Sequence, residues 1–367
     1  MRKAATPQDR EVFNRYTDDA LKAGPWSVTF HRPTPNTTRA GPNDYYSEGP
    51  YWWPDPKNRN GPYIRRDGER YPERFIANHS DAGKMCEAVL ALGIGAALLN
   101  KAGCADHANK VLSVWFLDSK TRMNPNLEYG QAIPRVTTGR GTGLIDMVSM
   151  IHAVEGILLL EFAGGLDASV SQGVRQWYGE FLQWMTTSRK GLDEKTSGNN
   201  HATWWTAQVA SYAALTANAQ VRRMAWQHYR DYLVPSEIRP DGSCPREEAR
   251  TNSLSYSSMN LDAFSTICRL AEMDGVDLWH FRAPNGGSVA TAFDYLVPYI
   301  LHPETWRHQQ ISTYSAAGHY FPGLAGIGLP SRKLLDAYYR LPRGEAVWAL
   351  FLDLLVRASE PKPVQTS

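Results

Sequence analysis

The sequence predicts an all-α fold, an (α/α) toroid: an incomplete barrel of paired antiparallel helices behind a long irregular N-terminal segment. Three observations lead there. Small and apolar residues recur at helical spacing through most of the chain beyond residue 80. Strand signals are scarce, and the helical segments follow one another in pairs joined by short turns or polar loops. No fixed-period repeat is visible, which counts against the standard solenoids and leaves a toroid. A single domain over 1–367 is expected, with 1–79 mostly loop (a lid or cleft wall), 80–357 the helical toroid and 358–367 a flexible tail.

The elements follow in order. The first eighty residues are rich in Pro, Gly, Asn and Asp, most densely over 41–56 (GPNDYYSEGPYWWPDP). Proline removes a donor and restricts its neighbour, so this stretch cannot be regular helix. It is also too aromatic to be disordered, and long ordered loops are usually functional. Helical spacing then begins at 81–100 with Ser80 as N-cap. Further helices are expected near 104–118, 141–163, 169–188, 199–216, 218–234, 256–273, 287–300 and 332–357.

Composition narrows the function classes. The 367 residues carry a net charge of +2 and no run of Lys and Arg that resembles a nucleic-acid patch. Twelve Trp and eighteen Tyr suit either packing or stacking on the apolar faces of sugar rings. Cys86, Cys104, Cys244 and Cys268 have no CxxC pairing, which leaves buried thiols or up to two disulfides. No apolar segment reads as long enough to span a bilayer; residues 88–99 are interrupted by glycine. The N-terminus lacks the apolar stretch of a secretory signal, leaving a cytoplasmic protein or one whose signal was removed.

Three polar islands interrupt the helices. Residues 129–143 (YGQAIPRVTTGRGTG) place glycines before a helix, without P-loop spacing or a preceding strand. With Arg135 and Arg140 nearby, that helix start is either a carboxylate site or a glycine turn with solvated arginines. Residues 197–205 (SGNNHATWW) put Asn199, Asn200 and His201 at a helix start beside two tryptophans; one Asn is a cap candidate. Residues 245–260 place Arg250 and Tyr256 around a polar loop, a pair that in isolation is more often structural than catalytic.

Together these pieces resemble the alginate lyase family. The resemblance runs from about Tyr45 to the 260s through 51–56 (YWWPDP), 61–66 (GPYIRR), 130–134 (GQAIP), 139–143 (GRGTG), 199–201 (NNH) and 248–256 (EARTNSLSY). It implies an α/α toroid that cleaves alginate or glucuronan as a polysaccharide lyase, with the family's Asn-His pair, Arg and Tyr falling on Asn200, His201, Arg250 and Tyr256. The six-residue step from Arg250 to Tyr256 is one shorter than in the bacterial alginate lyases of the best-known branch. The surrounding sequence is more similar to a second branch that includes glucuronan lyases. The implied partner is an acidic polysaccharide, with no nucleic acid, membrane, metal or cofactor, and a monomer is expected. A polymer substrate favours a periplasmic or secreted enzyme whose signal has been removed.

These side chains suit β-elimination. Removing the weakly acidic C5 proton of a uronate requires its carboxylate to be neutralised; Asn200 and Arg250 are suitable donors, with His201 assisting. A base then takes the proton and an acid protonates the leaving C4 oxygen. In mannuronate and glucuronate the two groups share a face, so Tyr256 can do both steps if positive charge, from Arg250, favours its phenolate. In guluronate they lie on opposite faces, and His201 becomes the base with Tyr256 as acid. Trp52, Trp53, Tyr129, Gln131, Trp204 and Trp205 are candidate sugar subsites. Arg65, Arg66, Arg135 and Arg140 are candidates for further carboxylates, or for surface salt bridges and loop contacts. His302, His308 and His319 near Trp306 either line the cleft or pack. Two rival readings are an α/α-barrel glycoside hydrolase using two of Asp146, Glu155, Glu247 and Glu248, and a non-catalytic polysaccharide-binding protein.

Overall fold

The computed structural model describes residues 1–33, 38–58 and 60–360. Of the expected C-terminal tail, 361–367 therefore lie outside the described residues. The elements run α1 (Pro7–Lys22), β1 (Tyr46–Glu48), β2 (Trp52–Trp53), β3 (Ile64–Arg65), α2 (Ala77–Leu99), α3 (Cys104–Leu112) and β4 (Tyr129–Ala132). A 3-10 segment, Gly141–Met147, precedes α4 (Met150–Phe162), α5 (Ala168–Thr187), α6 (Arg189–Lys195), α7 (Asn200–Leu215) and α8 (Ala219–His228). Then come α9 (Val234–Glu237), α10 (Pro245–Glu248), α11 (Ser253–Met273), α12 (Val289–Leu301), α13 (Phe321–Gly328), α14 (Arg332–Arg340) and α15 (Val347–Ser359). Where one domain was expected, the chain forms two compact units: Pro7–Ser197 with Ser211–Arg222, and Met1–Thr6 with Gly198–Ala210 and Arg223–Ser367.

In the unit that begins at Pro7, α2 packs against α1, α3 and α4. The expectation that no segment is long enough for a bilayer is corrected: α2, at 23 residues, passes by length and composition. Most of it is buried, which is how a core helix passes the same test. It begins at Ala77, so Ile76 and not Ser80 stands at the cap, and it ends with Asn100 in the left-handed region (φ 52°). The crossing with α4 depends on two glycines. A Cβ on Gly93 would sit 2.5 Å from the Gly156 carbonyl oxygen, and one on Gly156 2.5 Å from that of Val89. β1 runs parallel to β4 (Tyr46↔Tyr129), and β2 pairs antiparallel with β3 (Trp52↔Arg65).

The N-terminal stretch is less irregular than expected, because α1 occupies residues within 1–79. Pro7 opens it, where a missing N–H costs nothing. Only Phe13, Thr17 and Ala20 are buried. They stand at i, i+4 and i+7, a helical period, but in a segment that is polar overall. The Thr17 hydroxyl donates to the carbonyls of Phe13 (2.7 Å) and Ala91 (3.2 Å), tying α1 to α2.

In the other unit α11 packs against α10, α12 and α13, and α13 against α14 and α15. The helix expected over 332–357 is two helices. Pro342 forces Leu341 out of helical geometry (ψ 148°), which ends α14 before α15 begins. The segment before α13 runs along α11: Trp306 Nε1 donates to Ser253 Oγ (2.7 Å), Tyr314 and Ser258 share a hydroxyl contact (2.9 Å), and His319 Nδ1 bonds Asp262 (2.6 Å). His308 lies against Trp306 (4.9 Å between ring centroids). All four cysteines are free and buried.

Replacing Gly156 by Ala sets a helix-propensity gain of about 1 kcal/mol against a backbone clash of about 1–3 kcal/mol. The clash should win, because the atoms it meets are backbone and cannot rotate away. The expected outcome is a lower melting temperature for Gly156→Ala; an unchanged or raised one would show that α2 and α4 separate freely.

Candidate active site

The start of α7 is shaped by Gly198, which has φ +69° and no room for a Cβ beside Arg246 and Tyr232. Arg246 Nη1 donates to the Gly198 carbonyl (3.2 Å). Asn199 then caps the helix: its Oδ1 accepts the His201 N–H (3.1 Å) and its carbonyl the Ala202 N–H (2.8 Å). With Asn199 in that role, Asn200 turns inward and is 1% exposed.

Asn200 meets a buried acid. Glu247, on the short α10, accepts the Asn200 backbone N–H at 2.6 Å, and both of its oxygens lie 2.9 Å from Asn200 Nδ2. Burial pushes the Glu247 carboxyl up, and the Asn200 hydrogen bonds, Arg250 and His201 pull it back. The first turn of α7, whose N–H groups favour an anion, adds to that pull. Glu247 also places Arg250, whose backbone N–H donates to the Glu247 carbonyl (3.0 Å). The Arg250 guanidinium carbon stands 3.9 Å from the Tyr256 ring centroid, a cation–π arrangement. Tyr256 itself is set in the first turn of α11 by its N–H bond to Asn252 (3.0 Å). His201, Arg250 and Tyr256 are half-buried. All four residues of the expected centre thus lie in one unit, drawn together around Glu247.

A second acid lies beside the first. Glu237 accepts from Thr203 Oγ1 (2.9 Å) and Asn260 Nδ2 (3.1 Å), while its Oε1 is buried without a hydrogen-bond partner. Burial, and then the charge of Glu247, push Glu237 up to about 8 against the pull of Thr203, Asn260 and Arg246. Burial raises both carboxyls, but Glu247 is the one drawn back by the Asn200 N–H groups, Arg250 and His201. The sequence considered Glu247 only as a hydrolase acid and did not single out Glu237.

The expected sugar and carboxylate ligands divide. In the unit that begins at Pro7, Trp53 Nε1 donates to the Glu69 carbonyl (2.9 Å) and its ring lies 4.7 Å from the Arg66 guanidinium. Arg65 pairs with Asp67 (2.8 Å) and Arg66 with Glu69 (3.9 Å); Arg135 donates to the Gly61 carbonyl (3.1 Å). Arg140 lies over Trp52 at 5.9 Å and donates to Gln131 through Nε (3.0 Å, carbonyl) and Nη2 (2.9 Å, Oε1). Trp52, Trp53, Tyr129, Arg65 and Arg66 keep exposed surface.

Three candidates are corrected. Gln131 is buried, and its amide is used by Arg140 on one side and Asp146 (2.8 Å) on the other, so it organises Arg140 instead of touching a sugar. Trp204 and Trp205 are core residues: α7 is buried on every face over 202–213, and Trp205 packs edge-on to His228 at 5.8 Å. Neither ring has a face to offer. The hydrolase acids are likewise engaged. Asp146 accepts from Tyr45, Ser47 and Gln131, and Glu155 bonds His152 (3.1 Å).

Glu237 makes stability depend on pH. Its carboxyl is raised from about 4.3 in an unfolded chain, so its contribution is complete below that value and is lost as pH rises to about 8. Thermal denaturation between pH 5 and pH 9 should show the melting temperature falling, and Glu237→Gln should remove part of the fall. Identical slopes in the two proteins would contradict the assignment.

Comparison with known proteins shows the family. Residues 31–306 match the family model described as alginate lyase. An alginate lyase from Bacteroides ovatus shares 33% identity and a TM-score of 0.86, covering 93% of this chain and 92% of that one. Alginate lyase A1-III from Sphingomonas species A1 has 16% identity and a TM-score of 0.58 over 98% and 99% of the two chains. A histidine-to-alanine variant of A1-III complexed with a tetrasaccharide gives 16% and 0.60 over 99% and 96%. At such identities the A1-III structures speak to the fold alone. Among curated proteins none matches. The motifs in their order, the all-α fold and the extent of the Bacteroides match establish that this chain belongs to the alginate lyase family, as a polysaccharide lyase of the α/α-toroid class.

Proposed function

We propose that the enzyme cleaves a β-1,4-linked uronate polymer, mannuronate-type alginate or glucuronan, by metal-independent β-elimination, giving 4,5-unsaturated oligosaccharides. The observation that carries this reading is Arg250 stacked 3.9 Å from the Tyr256 ring, one residue cluster with Asn200 and His201. A guanidinium against the ring favours negative charge on the phenolic oxygen. Tyr256 can then accept the C5 proton and return it to the C4 oxygen on the same face, as mannuronate and glucuronate require. Asn200 and Arg250 supply donors to the uronate carboxylate as charge develops on it, so the scheme needs no metal. Asn200 is shielded from water, where such a donor is worth most. On guluronate, His201 acts as base and Tyr256 as acid.

The Bacteroides ovatus relative is an alginate lyase, which supports a uronate substrate. The six-residue step from Arg250 to Tyr256 and the sequence around it keep glucuronan beside alginate. Partly exposed aromatic and cationic groups at Trp52, Trp53, Arg65, Arg66 and Arg140 suit a chain of charged sugars. Action on such a polymer goes with a periplasmic or secreted location.

The test is ultraviolet absorbance of the unsaturated product on polymannuronate, polyguluronate, glucuronan and hyaluronan. Polymannuronate or glucuronan should be cut fastest, and activity should survive EDTA. Tyr256→Phe should lose about a hundredfold or more in kcat, and His201→Ala should lose most on polyguluronate. New reducing ends without absorbance would mean hydrolysis. Full activity in both variants would sink the mechanism.

A further inference from the structure

We infer that Glu247 is a positioning residue that sets the amide of Asn200 in one of its two orientations, and so decides where the catalytic N–H stands. The inference rests on the proposed role of Asn200 as a donor to the substrate carboxylate. It goes beyond that role by naming what holds the donor.

A primary amide is nearly symmetric in shape and opposite in chemistry at its two ends, so a half-turn exchanges donor for acceptor. A carboxylate removes the ambiguity, because it can only accept. With Nδ2 at 2.9 Å from both Glu247 oxygens, one Asn200 N–H is shared between them. The flipped amide would set Oδ1 against a carboxylate and is excluded. The second N–H is then held at one fixed position. The Asn200 backbone N–H on Glu247 Oε1, at 2.6 Å, fixes the carboxylate in turn. The pair is 47 residues apart in sequence and each partner is 1% exposed, so water competes little for the contact between them.

The surroundings of Glu247 suit an acceptor. Both of its oxygens receive Asn200 N–H groups, and Arg250 and His201 pull its carboxyl back from the rise that burial causes. Glu237 beside it takes Thr203 and Asn260 on one oxygen.

Replacing Glu247 by Gln keeps the shape but puts an N–H where Oε2 stood. Asn200 must then turn its oxygen inward, and the donor is displaced. A misplacement of about 1 Å in a reacting group costs on the order of a hundredfold. A structural contact and a positioning contact are separated by a double-mutant cycle and a swap, with kcat per folded enzyme and melting temperature read for each variant. Glu247→Gln should lower kcat about ten- to a hundredfold. Asn200→Ala should lower it at least as far, and the double variant should be no slower than Asn200→Ala alone. The swapped pair, Asn200→Asp with Glu247→Gln, restores one donor and one acceptor in reverse, so it should regain melting temperature without regaining kcat. Should Glu247→Gln alone fail to fold, the swapped pair carries the test.

Wild-type kcat in Glu247→Gln would overturn the inference, as would a double variant slowed by the product of the singles or a swap that recovers kcat. Each leaves Asn200 in its role if Asn200→Ala is impaired. Full activity in Asn200→Ala would instead remove Asn200 from the mechanism, and this inference with it.

Discussion

The enclosed contact between Glu247 and Asn200 is the constraint on which the candidate centre depends. Removing a carboxylate from water costs several kcal/mol, and only well-placed donors and charges offset it. Glu247 collects them from three directions: the first turn of α7, the side chain of Asn200, and the Arg250 guanidinium with the His201 imidazole. Those are the groups that elimination needs. The requirement that Glu247 be satisfied therefore brings the candidate catalytic residues together before any substrate arrives. Arg250 is held at its backbone by the same residue, and its guanidinium carbon lies over the Tyr256 ring.

Stability alone does not account for two neighbouring buried acids. A hydrophobic pair of similar volume would commonly do as well or better. Their environments are instead set apart. Glu237 accepts from two neutral donors, with Arg246 acting only from a distance, and is raised to about 8, whereas Glu247 meets the Asn200 N–H groups, Arg250 and His201, which pull it back. The two acids face different turns of the same helices: Thr203 lies one turn beyond Asn200 on α7, and Asn260 one turn beyond Tyr256 on α11.

How far the sequence could be read follows from the range of each interaction. Long helices with apolar period, α2 and α5, were visible because their signal is local. α1 was not, since the helical period of Phe13, Thr17 and Ala20 does not stand out from a segment that is polar overall. Pro342 marked the break between α14 and α15, but the apolar period on both sides outweighed it. Asn200, His201, Arg250 and Tyr256 were legible as ordered motifs. Glu247 was in plain view in the third island, yet its meaning lies in a partner 47 residues away. The tryptophans show the converse error. Trp204 and Trp205 follow Asn200 and His201 directly and read as a sugar platform. The small residues around α7, Ala202, Ala207, Ala210 and Ala213, were the better signal, since they mark a helix buried on all sides.

The unit that begins at Pro7 meets the same physical problem with the same device. Asp146, buried and saturated by Tyr45, Ser47 and Gln131, can only accept. It therefore takes the Gln131 N–H and turns the amide oxygen the other way, where Oε1 receives Arg140 Nη2 at 2.9 Å. The result is a partly buried cation held over Trp52, with its orientation set two residues back by an acid. Glu247 and Asn200 are the shorter version, with the amide itself as the working group. In both, an acceptor-only carboxylate resolves the ambiguity of an amide, and the amide hands a fixed orientation onward. A lone amide on a wet surface would lack that direction, because water accepts and donates equally well. Burial supplies it, which is why the acids lie inside and the cations they orient lie nearer the surface.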